Sequence, residues 1–70
     1  MKKLIKIEGM HCGHCSARVT KAFEADGIAC DIDLAAGTAT VNGDDAKLND
    51  AALRDTVEAL GFDVVEIKAI

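Results

Sequence analysis

Cys12 and Cys15 stand three positions apart in Gly9-Met10-His11-Cys12-Gly13-His14-Cys15, a spacing that lets two sulfurs reach one point in space. Thiolates are soft ligands that favour Cu(I) and take other thiophilic ions as well. The motif falls where a strand-like run, Lys3 to Glu8, gives way to a helix-like one, Ser16 to Ala25. The first N–H groups of a helix are unpaired and carry partial positive charge, which stabilises a thiolate placed there. Cys15, at or just before the first turn, is therefore expected below the ~8.5 of a free cysteine. Cys12 belongs to the loop, and Gly13 is expected to let the backbone turn tightly between the two. His14 is a candidate third ligand, or a hydrogen-bonding neighbour of the thiolates. Its plain alternative is a solvent-facing residue. His11 has the weaker claim.

Three chemistries fit a bare Cys-x-x-Cys. A structural zinc site needs about four ligands, usually including a second pair well downstream. Cys30 is alone, however, and both histidines lie inside the motif. A dithiol-disulfide oxidoreductase is the second, because Cys-Gly-His-Cys spells the active-site tetrapeptide of disulfide isomerases. Those domains are larger and use a Trp before the first Cys and a cis-proline opposite it, and this chain has neither Trp nor Pro. The third is a carrier that breaks no bond in a substrate and is not an enzyme: two thiolates hold a metal ion and leave it open to attack by another ligand.

The elements that must position the pair can be read from periodicity. Ile5 and Ile7 alternate with charged residues in Lys3-Leu4-Ile5-Lys6-Ile7-Glu8, a first strand ended by Gly9. Val19 and Phe23, four apart with Ala22 beside them, mark the buried stripe of a first helix that Asp26-Gly27 stops. Ile28, Cys30, Ile32 and Leu34 recur every second residue and form a second strand. Cys30 thus reads as a small core residue, since free cysteine is among the most buried residue types. Ala35-Ala36-Gly37 turns the chain into Thr38-Ala39-Thr40-Val41, which completes a hairpin. Asn42-Gly43-Asp44-Asp45 is a polar turn. Asn49 or Asp50 caps a second helix with Leu53, Val57 and Leu60 as its stripe, Gly61 ends it, and Phe62 to Ala69 supplies a last strand whose alternation Val64-Val65 blurs. The order is βαββαβ. One apolar stripe per helix and one apolar face per strand predict an α+β ferredoxin-like sandwich, two helices on one face of a four-stranded antiparallel sheet. No linker or repeat divides residues 1–70, which are expected to form a single domain.

Half of the residues are hydrophobic but only 3% are aromatic, which suits a tight core of small side chains. No apolar run approaches the ~20 residues of a membrane span. The N-terminus is interrupted by charge too soon for a signal peptide, and three cysteines make no disulfide framework, so a reducing cytoplasm is the expected location. The formal charge of −4 is unevenly spread, because residues 1–25 hold five of the eight basic side chains but only Glu8 and Glu24 among the acids. Arg18 and Lys21, three apart on the first helix, share one side of it. They are either a solvated face or an edge that docks a partner with acidic residues around its own metal site. Nucleic acid is excluded by sign and by the lack of an aromatic platform.

The stretch Gly-Met-His-Cys-Gly-His-Cys resembles the Gly-Met-x-Cys-x-x-Cys signature of the heavy-metal-associated domain family. The resemblance continues through Ser16-Ala17-Arg18-Val19, Gly27-Ile28, Gly37-Thr38-Ala39-Thr40-Val41 and Ala59-Leu60-Gly61-Phe62-Asp63-Val64. It implies the ferredoxin-like fold of small copper chaperones and of the metal-binding domains of copper-transporting P-type ATPases. Carried over by position, it makes Cys12 and Cys15 the metal ligands and Met10 a buried support of the loop. Phe62 falls close to the cysteines, at a position often filled by Phe in ATPase metal-binding domains, although on sequence alone it is equally a core residue. The resemblance implies Cu(I) as the metal, with Hg(II) or Zn(II) as rivals; zinc-selective relatives often carry a carboxylate where His11 stands. It implies a copper-transporting ATPase or a copper-responsive regulator as partner, and allows a metal-bridged homodimer. One departure is the short connection from the first helix, which lacks the family's common Pro-Gly.

Overall fold

A computed structural model describes residues 1–10 and 13–70; His11 and Cys12 lie outside the described residues. The order of elements is β1 (Lys2–Glu8), α1 (Gly13–Ala25), β2 (Ala29–Asp33), β3 (Thr38–Asn42), α2 (Asp50–Ala59) and β4 (Asp63–Ala69). The strands form one sheet in the order β2-β3-β1-β4, and every neighbouring pair is antiparallel. Helix α1 packs on β2 and α2 on β4, and the helices touch each other. This is the ferredoxin-like sandwich that the pattern predicts.

Alternation sets what each strand buries. Ile5 and Ile7 of β1 and Ala39 and Val41 of β3 point into the core, against Val19 and Phe23 of α1 and Leu53 and Val57 of α2. A fully buried aliphatic or aromatic side chain contributes roughly 1.5–3 kcal/mol. Lys3 has the same parity as Ile5 and Ile7, and its ammonium closes the far end of the core by pairing with Asp50 at the start of α2. Leu48, in the connection before α2, is 1% exposed. No periodic run flags it.

Helix ends follow side-chain chemistry. At the end of α1 the Ile28 N–H donates to the Phe23 carbonyl (3.0 Å) and the Gly27 N–H to that of Glu24 (3.0 Å). That paired pattern needs a left-handed residue, and Gly27 has φ +77°. Asn49 caps α2, its Oδ1 accepting from the N–H groups of Ala51 (2.9 Å) and Ala52 (3.3 Å).

Three expectations need correction. Helix α1 begins at Gly13 and not at Ser16, so Gly13, His14 and Cys15 form its first turn. Gly13 is accordingly helical, and a Cβ there would meet nothing within 4 Å among the described residues. Leu34 does not join the apolar face of β2: the strand stops at Asp33, and Leu34 is 41% exposed in the following turn. The blurred alternation at Val64-Val65 is a β-bulge. Lys6 pairs with Glu66 but Ile7 with Val64, which leaves Val65 as the extra, exposed residue.

Candidate metal centre

Strand β1 delivers the chain to one pole of the sandwich, where three connections meet. The first is Gly9 and Met10, directly after β1. The second, the β2–β3 turn, is held against the end of β1 by the Ile7 N–H donating to the Gly37 carbonyl (2.8 Å). The third is Leu60-Gly61-Phe62, where Gly61 (φ +92°) donates to the Glu58 carbonyl at 3.0 Å and reverses the chain from α2 into β4.

Gly9 also has φ +92°, and a Cβ placed on it would lie 3.6 Å from Cδ1 of Phe62. The Phe62 ring therefore underlies the first residue of the loop. Phe62 is 9% exposed and shares one apolar cluster with Met10, itself 2% exposed. The two sequence readings of Phe62, core residue and neighbour of the loop, are compatible at this position, and Met10 is buried as expected. Cys15 is half-buried against the same cluster. Next to it, the Ser16 hydroxyl donates to the Gly13 carbonyl at 2.9 Å, fastening the first turn. His14, in the same turn, is exposed.

Cys12, the other expected ligand, lies outside the described residues, as does His11. The third cysteine is elsewhere. Cys30 sits on β2 opposite Val41, beside Thr20, which is five residues or about 7.5 Å of helix rise beyond Cys15. Burial pushes its thiol up to about 11, helped by the Asp31 and Glu24 carboxylates and opposed by a hydrogen bond with Thr20. It is a protonated, poorly ligating sulfur at neutral pH. No cluster of three or more metal-ligating side chains occurs among the described residues. The pole therefore offers Cys15 as its described thiol, with Cys12 three residues before it in sequence. Arg18 and Lys21 are both exposed and make no ion pair among the described residues. What sequence reasoning missed is the Gly9–Phe62 packing, whose only sequence signal is the glycine that opens the motif.

A four-stranded βαββαβ sandwich defines a class, the small α+β ferredoxin-like domains. Within that class the chain belongs to the heavy-metal-associated domain family, whose model matches residues 4–63. It is 36% identical over 66 residues to the copper chaperone CopZ of Staphylococcus aureus, covering 91% of this chain and 97% of that protein. Among solved structures it resembles a CopZ metallochaperone with a TM-score of 0.86 at 36% identity, over 93% of this chain and 100% of that one. The copper-binding domain of HMA7, a P-type ATPase, gives 0.84 at 28% identity, over 99% and 96%. Copper-binding relatives thus surround the chain in both sequence and fold. No helix among the described residues is long and apolar enough to cross a membrane.

Proposed function

We propose that this domain carries one Cu(I) on Cys12 and Cys15 and hands it to a partner by thiolate exchange. The observation that carries the reading is the seat of Cys15: in the first turn of α1, half-buried against the apolar cluster to which Met10 and Phe62 belong. The partial positive charge of a helix N-terminus favours a thiolate placed there. The packed side holds the sulfur in place while its other side faces the partner. With two sulfur ligands, the Cu(I) ion is open to a partner thiolate. The incoming sulfur adds, a three-coordinate intermediate forms, one of the original thiolates leaves and takes up a proton, and a second partner thiolate displaces the other in the same way. Copper stays Cu(I) throughout, so no oxidant or reductant is consumed.

The recipient fits a copper-transporting ATPase or a copper-responsive regulator. CopZ is by name a copper chaperone, and a P-type ATPase contains a domain of the same fold. Arg18 and Lys21 would meet acidic residues around the partner's own metal site. His14, exposed and next to Cys15, is free to approach the ion as a third or outer ligand. The same open coordination allows two copies to share copper as a bridged dimer. The proposed compartment is the cytoplasm, where thiols stay reduced.

The test is an anaerobic titration of the reduced protein with Cu(I) against a chromogenic Cu(I) chelator, with Zn(II) and Hg(II) competitions and native mass spectrometry for stoichiometry. One tightly held Cu(I) per chain or bridged pair is expected, with affinity lower by several orders of magnitude in Cys12→Ser/Cys15→Ser. Wild-type Cu(I) affinity in that variant would sink the proposal. Tighter Zn(II) or Hg(II) binding would move the domain to another metal. Catalysis of insulin reduction with dithiothreitol would instead favour an oxidoreductase.

A further inference from the structure

We propose that a cavity at the pole opposite the cysteine motif binds a free α-amino acid with an aliphatic side chain, its charged head held between Asp26 and Lys47. No residue of this cavity belongs to the metal end, so the binding needs no copper.

The register places the cavity. Ala29 of β2 and Lys2 of β1 both pair with Asn42, so α1 ends where β1 begins, whereas the cysteine motif follows the other end of β1. The connection before α2 closes this far pole. Leu48 anchors it from below, and the N–H groups of Lys47 (2.9 Å) and Leu48 (3.2 Å) both donate to the Asp44 carbonyl. Between that turn, the end of α1 and the side of α2 lies a cavity of about 290 Å³. Its floor is apolar, made by Ile28 and Leu53, both buried. Ala46 and Ala52 are its walls, too small to fill it. Thr56 adds a hydroxyl that donates to the Ala52 carbonyl at 3.0 Å and can still accept. The volume stands at the lower limit of small-molecule sites, ~300 Å³, which suits a ligand of metabolite size.

Two charges of opposite sign stand at the mouth. Asp26 directly follows the last residue of α1 and is exposed. Lys47 reaches back over Gly27: a Cβ on that glycine would stand 2.6 Å from the ammonium, so the cation lies beside the residue after Asp26. Asp26 and Lys47 nevertheless form no ion pair, with each other or with any other side chain, among the described residues. An anion entering alone would face the Asp26 carboxylate, and an amine entering alone the Lys47 ammonium. A head that carries both charges one carbon apart meets each with its opposite. The C-terminal end of α1 adds partial negative charge on the side of the ligand's ammonium. Below the head, an aliphatic side chain leaves water for the floor of Ile28 and Leu53. Leucine has this chemistry.

The experiment titrates the reduced, ¹⁵N-labelled chain with L-leucine and with three probes that each lack one part of it: glycine without the side chain, isocaproate without the ammonium and isoamylamine without the carboxylate. Leucine should give saturable amide shifts confined to the cavity, residues 26–28 and 46–56, with the amides of residues 13–16 unmoved. Isocaproate and isoamylamine should bind about two- to fivefold more weakly, the scale of one exposed charge pair. Glycine should bind at least about tenfold more weakly, because a buried side chain contributes more than such a pair. Asp26→Asn should weaken leucine but strengthen isocaproate, and Lys47→Gln should weaken leucine but strengthen isoamylamine, a crossover that a loss of structure would not produce. Ala52→Met, which fills the cavity, should remove the shifts. The absence of saturable shifts with leucine, leucine no tighter than glycine, or a leucine affinity indifferent to both charge variants overturns the proposal. Isocaproate as tight as leucine and insensitive to Asp26→Asn also overturns it, in favour of a simple anion. Lys47→Gln should keep wild-type Cu(I) affinity in the chelator competition, so either reading can fail while the other stands.

Discussion

Cys15 and Cys30 carry the same sulfur in opposed settings. Cys15 sits at a helix start, whereas Cys30 lies in the sheet, where burial and two nearby carboxylates hold its proton, with its pKa raised to about 11. Cys30→Ala should therefore leave Cu(I) affinity in the chelator competition essentially unchanged, and Cys30 of the folded domain should resist iodoacetamide at pH 8 while alkylating freely in urea. A large fall in Cu(I) affinity would make it a ligand after all. The raised pKa also sets a pH dependence. Below about pH 9 the thiol is protonated in both the folded and the unfolded chain, and its contribution to stability is fully present. As the pH rises from about 9 toward 11, the unfolded chain releases that proton while the folded chain keeps it, so stability falls. Urea midpoints across that window should fall more steeply in wild type than in Cys30→Ala. That Cys30 belongs to the apolar series was legible from its period of two. That it is only half-buried was not, because β2 lies at the sheet edge and strand order does not show in a local pattern.

Elements were most legible where one side chain does a defined job. Asn49 satisfies two N–H groups of α2, so Asn49→Ala should lower stability by about 1 kcal/mol while Asn49→Asp keeps most of the cap, as measured by urea unfolding. Gly27 was equally visible as a stop signal, but the structure adds its neighbour: a Cβ there would stand 2.6 Å from the Lys47 ammonium. That ammonium ends a flexible chain and can move aside, whereas the left-handed backbone cannot. Gly27→Ala should thus cost about 1–2 kcal/mol, and the same change in a Lys47→Ala background should cost nearly as much. A cost that disappears in that background would show the lysine contact to be the real constraint. The start of α1 was read three residues late for a physical reason. Gly13 is a weak helix former, and His14 and Cys15 carry no capping signal, so nothing local announces a helix.

For the whole molecule, alternation and helical stripes gave βαββαβ because each element buries a single face. What they could not give depends on contacts distant in sequence: the bulge at Val65, the burial of Leu48 and the packing of Phe62 beneath Gly9. The last of these bears on how the fold and copper are linked. A chain of this size seldom draws more than ~3–5 kcal/mol from its core, so a ligand that prefers the folded state changes its stability visibly. Free Cu(I) at a hundred times Kd would add about 2.7 kcal/mol if the unfolded chain bound none, which for a domain of this size is roughly 10–20 °C in Tm. Cys12 and Cys15 are only three residues apart, however, so the unfolded chain retains a dithiol of its own. The observed rise therefore measures only the folded state's preference for the bound geometry, which the helix start and the Met10–Phe62 support would provide. We expect a rise in Tm well short of that ceiling, smaller in Phe62→Leu and absent in Cys12→Ser/Cys15→Ser. By linkage, at saturating Cu(I) the gain in stability must match the ratio of Cu(I) affinities of the domain and of a free peptide spanning residues 8–17. Differential scanning calorimetry and chelator competition give the two sides independently. Equal affinities for domain and peptide would mean that the fold adds nothing to the cysteine pair beyond holding it at a surface.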